Sequence, residues 1–287
     1  MKKTGYKICF TICLIAFFAI CSLMAYRFVA RRDAERKLQE ITEAAQADHS
    51  DVESIEIEEA LEEDSVSTIP TESLAEVVPE ETEPRDPLAE RSITIPEKEI
   101  DWSALQEENP DIYAWIYIPG TNVDYPILQH PDEKSYYLDH NIDGSEGYPG
   151  CIYTQNVNTK DWTDPNTVIY GHNMKDGSMF HDLHKFEDNV FFDETQFMFI
   201  YTPEGNKAYE IFASYPFSNV DLMMCFDYST PDAVLVYFDG IWTNRDMSSN
   251  FRDSVTLYGD SKIITMSTCI GGQPEMRYLV QAVLLNP

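Results

Sequence analysis

The sequence has little positive charge and few cysteines that could pair. Its 287 residues include 20 Lys and Arg against 50 Asp and Glu, whereas phosphate binding needs clustered Lys and Arg. Six cysteines are present, three of them within residues 8–26 and the others at Cys151, Cys225 and Cys269, with no CxxC pair among these last three. The sequence therefore argues against a nucleic-acid partner, a disulfide framework and a zinc site, and at least one thiol is expected to be free.

Sequence motifs that would indicate a cofactor are also missing. There is no glycine-rich phosphate loop and no internal repeat, and the acidic residues are scattered rather than spaced as in an EF-hand calcium loop. We therefore predict neither a cofactor nor a metal site.

Aromatic residues are absent from residues 33–99, which carry 22 Asp and Glu against 5 Lys and Arg. A segment of this composition cannot bury a hydrophobic core. We expect residues 27–99 to form an acidic, largely disordered tether. Within it, charge repulsion should extend residues 65–99, whereas residues 34–47 could continue a helix from the preceding segment.

Residues 8–26 form an uncharged, mostly apolar run, close to the ~20 residues that a helix needs to cross a bilayer. A cleaved signal peptide is the competing interpretation, but its apolar core is normally shorter, and no small-x-small cleavage site is clear near residues 23–27. We predict a transmembrane anchor at residues 8–26, preceded by a short N-terminus, residues 1–7. Basic residues on both sides leave the orientation open on charge alone.

Residues 100–287 contain all four tryptophans and are predicted to form one globular domain. Helical patterns are few; one begins at Asp101 and another spans residues 231–244, where Pro231 suits a first helical position. About eight apolar runs between turn residues are predicted strands. They are residues 113–118, 123–128, 151–156, 167–171, 197–202, 207–217, 262–269 and 277–285. The predicted fold is mainly β, a closed and mostly antiparallel eight-stranded barrel with a few peripheral helices, because closure hides the strand edges.

Two predicted strands end at residues that could perform nucleophilic catalysis. Cys269 closes one strand just before a glycine pair, and His172 follows another, whereas His181 and His184 fall on a predicted helix. A free cysteine is most often a small buried hydrophobe, and a lone histidine is weak support for a site. A cysteine and a histidine at strand ends, however, form the arrangement that activates a thiol.

Arg277 begins the last predicted strand, eight residues after Cys269. Its ordinary role would be a solvated charge at a strand end. Next to the thiol, its guanidinium would stabilise a thiolate and the oxyanion that forms when sulfur attacks a carbonyl. We therefore predict Cys269, His172 and Arg277 as the catalytic residues.

Three separated blocks of the sequence resemble the sortase family. TMSTC, residues 265–269, is similar to the sortase TLxTC signature, an arginine follows on the next strand, and the histidine comes earlier, in YGHNM. The stretches NPDIYAWIYIPGTNVDYPILQ and VIYGHNMKDGSMF resemble class B sortases, so the likeness covers nearly the whole domain from Asp101 onward. The helix predicted before the TMSTC strand also fits class B.

The resemblance implies a sortase-type β-barrel and a cysteine transpeptidase on the outer face of a Gram-positive membrane. Such enzymes cut a C-terminal sorting signal of a secreted protein after a Thr, form a thioacyl enzyme, and pass the acyl group to an amine of the peptidoglycan precursor. By resemblance, Cys269 is the nucleophile, His172 the general acid for the leaving amine, and Arg277 the residue that stabilises the oxyanion and orients substrate. The catalytic domain would then lie outside the cell and residues 1–7 in the cytoplasm.

Four further residues are predicted to bind substrate. Ser267 and Thr268 match positions that contact sorting signals in the family, and Tyr170 and Asn173 flank the histidine in YGHNM. Whether the signal is NPxTx-like or LPxTG-like, and which amine accepts the acyl group, stays open.

The sequence departs from the family pattern at three points. Met266 replaces the usual Leu, Ile270 stands where some class B members have an acidic residue, and no DPW-type lid precedes the domain. Three alternatives stay open: a surface cysteine peptidase without transfer, a pilin-polymerising sortase, and a non-enzymatic surface adhesin or scaffold.

Overall fold

The computed structural model describes residues 2–45 and 87–286, and for residues 2–15, 44, 45, 87 and 90 it describes the helical backbone but not the side chains. Within these ranges the α-helices are α1 (Lys2–Ala45), α2 (Pro87–Glu90), α3 (Trp102–Glu108), α4 (Asn189–Glu194), α5 (Leu222–Cys225) and α6 (Pro231–Ile241). Two 3-10 helices span Tyr136–Leu138 and His181–Glu187.

The strands form one sheet. They are β1 (Ile112–Tyr117), β2 (Asp124–Leu128), β3 (Ile152–Thr154), β4 (Asn166–Tyr170), β5 (Phe197–Tyr201), β6 (Lys207–Ser218), β7 (Asn250–Phe251), β8 (Ile263–Ile270) and β9 (Gln273–Leu284). Their order is β5-β1-β2-β3-β4-β8-β9-β6-β7, and β5 also pairs with β6. Eight strands therefore close into a ring, and β7 is a short addition beside β6.

The predicted barrel is confirmed. Only β2 with β3 and β4 with β8 run parallel among the described strand pairs; the others are antiparallel. Strands rich in Ile, Tyr and Phe form the ring because such side chains pack well on a pleated surface. Trp115 on β1 and Tyr209 on β6 are among the largest fully buried side chains.

A buried polar network joins β8 and β9, on which Cys269 and Arg277 lie, to β4, which the loop with His172 follows. The Thr265 hydroxyl on β8 donates to Asn166 Oδ1 on β4 at 2.8 Å and accepts from Gln281 Nε2 on β9, also at 2.8 Å. Gln281 Nε2 also lies 3.1 Å from the Tyr237 hydroxyl on α6. Because buried polar groups are costly when unpaired, this network favours one register of β4, β8 and β9.

Two predicted boundaries were wrong. Strand β9 begins at Gln273, not at Arg277, since residues 273–276, of which the first three are exposed, extend the ladder beyond the apolar run from which the strand was predicted. Helix α6 ends at Ile241 rather than at residue 244. The next residues form a turn instead, in which Asn244 Nδ2 bonds the carbonyls of Gly240 and Ile241.

Helix α1 lies against the barrel through its C-terminal part. Leu38 is buried and belongs to the main core, and Lys37 Nζ lies 2.6 Å from a Glu108 carboxylate oxygen on α3. Arg31 Nη2 lies 2.9 Å from Asp176 Oδ2, in the loop that follows His172.

The predicted anchor, residues 8–26, falls within helix α1. The side chains of its first part, residues 8–15, are not among those that the structure describes. In the part of the chain that the structure does describe, no helix combines the length and the apolarity needed to cross a membrane. Of the predicted tether, residues 27–45 are helical and residues 87–99 are described, whereas residues 46–86 lie outside the described residues. The domain boundaries stay a prediction.

Candidate active site

Cys269 and Arg277 lie directly opposite each other on the antiparallel strands β8 and β9. Side chains at such positions project from the same face of a sheet, so the thiol and the guanidinium share one face. The Cys269 side chain is exposed, although β8 is buried from Ile263 to Thr268. The strand therefore presents a single thiol at the end of a buried segment.

The Arg277 guanidinium is held by main-chain carbonyls at the start of β9. Its Nη1 donates to the carbonyl of Pro274 at 3.0 Å and to that of Met276 at 2.8 Å. A guanidinium has five N–H donors in a planar fork, and these two bonds involve one nitrogen. The fork thus keeps donors for a bound carbonyl or oxyanion.

His172 lies in the loop that follows β4, with its ring between two neighbours. Its Nε2 lies 2.7 Å from the Leu138 carbonyl oxygen, and the Tyr148 ring centroid is 4.9 Å from that of the imidazole. Because a carbonyl only accepts, Nε2 carries a proton in this ring orientation. Leu138 precedes His172 by 34 residues, so no sequence pattern indicated this contact.

Gly171 lets the chain carrying His172 pass close to the core. A Cβ at this position would meet Ile152 Cδ1 at 2.5 Å and Phe180 Cδ2 at 2.7 Å, distances at which the neighbours would have to shift. The Gly171 N–H donates to the Ser267 carbonyl at 3.2 Å, and its carbonyl accepts from the Thr268 hydroxyl at 2.9 Å. These bonds connect the loop that carries His172, here called the histidine loop, to β8, the strand that carries Cys269.

One cavity of about 230 Å³ brings most of the predicted site residues together. Its lining includes Cys269, His172 and Arg277, and with them Tyr170, Ser267 and Thr268 of the predicted substrate-binding set. Asn173 is not in the lining, since its side chain turns to the carbonyl of Cys269. Residues that the sequence did not indicate also contribute: Ser135, Leu138, Tyr153, Gln155, Asn219, Val220 and Asp221.

Two stacked tyrosines form part of the cavity wall. The rings of Tyr153 and Tyr170 lie 5.4 Å apart, centroid to centroid, at 24°. Burial raises the pKa of Tyr153 to about 12 and raises that of Tyr170 as well. Both phenols are therefore neutral at pH 7.

Behind the thiol, the Cys269 carbonyl accepts two side-chain hydrogen bonds. Asn173 Nδ2 donates at 2.9 Å and His184 Nε2 lies at 3.0 Å. The other polar atom of each donor side chain is bonded as well. Asn173 Oδ1 lies 2.8 Å from His181 Nδ1, and His184 Nδ1 lies 2.6 Å from Glu187 Oε1. Sequence reasoning placed His181 and His184 on a helix and assigned them no part in the site.

The other described domain cysteines differ from Cys269. Cys151 is buried, and desolvation raises the pKa of its thiol, which makes it a poor nucleophile. Cys225 is exposed on α5. Within residues 2–45 and 87–286, no group of three or more His, Cys, Asp or Glu side chains is arranged to hold a metal ion.

Comparison with known proteins relates this site to one family. The family model described as the sortase domain matches residues 116–285. Among curated proteins, sortase B of Listeria monocytogenes is 37% identical over 165 residues, which cover 58% of this chain and 65% of that protein. The chain thus spans somewhat less than two thirds of that relative.

Solved structures show the same likeness. Sortase B of Clostridium perfringens superposes with a TM-score of 0.58 at 28% identity, over 64% of this chain and 99% of that one. A Staphylococcus aureus sortase B–substrate complex, at 23% identity, gives a TM-score of 0.57 over 64% of this chain and 84% of that one, and shows a shared fold. The family predicted from the three sequence blocks is therefore confirmed, and this chain belongs to the sortase family, with class B sortases as its relatives.

Proposed function

We propose that this protein is a class B sortase-type cysteine transpeptidase. The observation that carries the proposal is that Cys269, His172 and Arg277 line one cavity, with the exposed thiol directly opposite the guanidinium on β8 and β9. A thiol, an imidazole and a guanidinium at one cavity are the groups that acyl transfer through sulfur requires.

In the first step, the Cys269 thiolate attacks the carbonyl carbon of a Thr in the sorting signal. The carbonyl oxygen becomes an oxyanion, which the Arg277 guanidinium stabilises by hydrogen bonding and charge. The C–N bond then breaks, and His172 gives a proton to the departing amine. Since Nε2–H of His172 is held by the Leu138 carbonyl in the observed ring orientation, the transferred proton comes from Nδ1.

In the second step, an amine attacks the thioester. It loses a proton to the now neutral His172, the C–S bond breaks, and the sulfur departs as the thiolate. The products are a new amide and the original state of the enzyme. For this chain we propose an amine of the peptidoglycan precursor or cross-bridge as acceptor, which is the general chemistry of the family.

The sorting signal of a secreted protein would lie along the cavity. Tyr170, Ser267 and Thr268 line the cavity. We propose that Tyr170 and Ser267 contact the substrate, whereas the Thr268 hydroxyl and the Asn173 amide are bonded to main-chain carbonyls of the site. A structure of a relative, sortase B of Staphylococcus aureus, has been solved as a substrate complex, which supports a peptide site in this fold. Wall tyrosines that stay neutral suit an uncharged peptide backbone.

We further propose that residues 8–26 anchor the protein in the cell membrane by a single pass, with residues 1–7 in the cytoplasm. The uncharged apolar run supports the anchor, and the need to meet exported proteins supports the orientation. Residues 27–99 would connect the anchor to the catalytic domain, residues 100–287.

The test uses the full chain in detergent or in vesicles, a panel of sorting-signal peptides, and an amine acceptor, with products read by mass. Cleavage should depend on Cys269, and Cys269→Ala should abolish both cleavage and thioester capture while thermal unfolding stays that of a folded domain. Cys225→Ala, which removes another exposed thiol, is the matched control and should keep full activity.

The amine acceptor separates the remaining alternatives. A transpeptidase shifts the product from the free acid to the amide as the acceptor concentration rises. A product that stays the acid would identify a peptidase without transfer. Cleavage by Cys269→Ala, or absence of any Cys269-dependent reaction, would overturn the assignment of the nucleophile.

A further inference from the structure

The main-chain carbonyl of Cys269 lies at the point where the β4–β8 pairing ends. Tyr170, the last residue of β4, pairs with Ser267, and the Ser267 carbonyl accepts from Gly171 N–H at 3.2 Å. Carbonyls two residues apart on a strand point to the same edge, so the Cys269 carbonyl faces the same side, beyond the end of β4. Side chains, not a strand, supply its partners there: Asn173 at 2.9 Å and His184 at 3.0 Å.

Asn173 is oriented for this bond by a second histidine. Its Oδ1 accepts from His181 Nδ1 at 2.8 Å, so the amide NH₂ is the end that faces Cys269. Asn173 also directly follows His172 in the chain. The donor to the cysteine carbonyl and the predicted general acid therefore lie on one short segment.

His184 faces an acceptor at each ring nitrogen. Nε2 meets the Cys269 carbonyl at 3.0 Å, and Nδ1 meets the Glu187 carboxylate at 2.6 Å. A carbonyl and an ionised carboxylate only accept, whereas a neutral imidazole has a single N–H. A neutral ring would thus set a nitrogen lone pair against an oxygen at one of its ends, and only the imidazolium satisfies both contacts.

The surroundings of the ring are compatible with a positive charge. The imidazole stacks on Tyr278 of β9, with ring centroids 5.1 Å apart at 29°, and an aromatic face attracts a cation. Glu187 is the nearest anion on the same 3-10 helix, while Lys185 of that helix pairs with Asp182 at 2.9 Å.

Two further titratable groups come from other elements. One is the Cys269 thiol on β8, and the other is Asp246 in the loop before β7, which acts on Tyr278. Burial is the main cause that raises the pKa of the Tyr278 phenol, and the charges of Glu187 and Asp246 raise it further.

Resting on the proposed transpeptidase function, we propose that His184 is a positively charged positioning residue. Together with Asn173 it holds the carbonyl of Cys269 and fixes the direction of the thiol at the end of β8. Reaction geometry is sensitive to such support, since a misplacement of about 1 Å at the reacting group can cost about 100-fold in rate.

The charge is tested first, without any substrate. Nitrogen-15 NMR of histidine-labelled full chain reports whether both ring nitrogens of His184 carry protons at pH 7. We expect both to be protonated in the wild type, and Glu187→Gln to allow the neutral ring with its proton on Nε2. Glu194→Gln, a change at an exposed carboxylate on α4, is the matched control and should leave the His184 signals unchanged. A neutral His184 in the wild type at pH 7 would overturn the proposal, whatever the activity of the protein.

The positioning role is tested by activity. His184→Ala should lower kcat by about 10-fold to 100-fold with little change in KM, and His184→Gln, whose amide can still donate to the carbonyl, should recover part of it. If His184→Ala folds and keeps the wild-type kcat, the positioning role is wrong.

These readouts separate the two proposals. Should the wild type show no Cys269-dependent cleavage, the proposed function fails while the NMR measurement still decides the charge of His184. Should His184→Ala not fold, His184→Gln and Glu187→Gln carry the test.

Discussion

The two sides of Cys269 differ in how completely their polar groups are bonded. On the cavity side, His172 has one ring nitrogen held by a carbonyl, and Arg277 has one guanidinium nitrogen held by two carbonyls of its own strand. On the opposite side, Asn173 and His184 each have both ends of their side chains bonded. Groups with unused capacity can act on a substrate, whereas bonded groups can only hold their neighbours in place.

This difference leads to an ordered set of expectations. Changes on the cavity side should remove chemistry while leaving the fold intact. Changes on the bonded side should reduce the rate through geometry and also alter stability.

The largest effect is expected at His172. His172→Ala removes the proposed general acid and should lower kcat by about 100-fold to 10,000-fold, because proton transfer by a positioned side chain contributes on that scale. Steady-state kinetics with a sorting-signal peptide and an amine acceptor measure it. His130→Ala, at another loop histidine of the domain, serves as the control. A variant within a few-fold of the wild type would mean that His172 is not the acid.

Arg277 should come next. Arg277→Ala removes the group that stabilises the oxyanion, and loss of one such donor typically costs about 100-fold to 1,000-fold in kcat. Arg277→Lys keeps the charge but lacks the planar fork and should recover only part of the loss. Equal activity of the Lys variant and the wild type would show that charge alone suffices and that the fork geometry is not used.

Much of the fold and of the cavity side could be predicted from the sequence. Strands such as β5 and β8 show continuous β-rich runs between turn residues, and their periodicity is local. Cys269 and Arg277 were predicted as catalytic residues eight residues apart on successive strands, and these strands pair in the structure, joined by a short turn. The start of β9 was placed four residues late because residues 273–275 are exposed and include Pro274.

The bonded side could not be predicted, for a physical reason. His184 lies 85 residues from Cys269, and its contact depends on how a 3-10 helix packs against the end of β8. Neither the spacing nor the apolar pattern of that helix carries this information. The contact of His172 with the Leu138 carbonyl could not be predicted either, because every residue type supplies the same main-chain acceptor.

A moderate effect is expected at Asn173. Asn173→Ala removes one of the two donors to the Cys269 carbonyl and should lower kcat by about 10-fold, equivalent to about 1.4 kcal/mol, a usual contribution of one hydrogen bond. Asn173→Asp is the sharper variant, because a carboxylate cannot donate to the carbonyl. This change should lower kcat at least as much as Asn173→Ala. If both variants raised KM and left kcat unchanged, Asn173 would act on the substrate instead, as the sequence predicted.

The smallest effect is expected at Thr268, which bonds the strand that carries Cys269 to the loop that carries His172. Its side chain is 1% exposed, and its hydroxyl donates to the Gly171 carbonyl at 2.9 Å. Thr268→Val keeps the shape but leaves that carbonyl without this donor, so the free energy of unfolding should fall by about 1–3 kcal/mol. Thermal unfolding should then show a Tm lower by about 2–4 °C for each kcal/mol in a domain of this size.

Kinetics on the same Thr268→Val variant decide between two roles for the residue. A lowered Tm with an unchanged KM would assign Thr268 to the fastening of the histidine loop. An unchanged Tm with a raised KM would assign it to the sorting signal. Because the hydroxyl is already bonded and the side chain is buried, we expect the first result, with kcat reduced only a few-fold as the loop carrying His172 loosens.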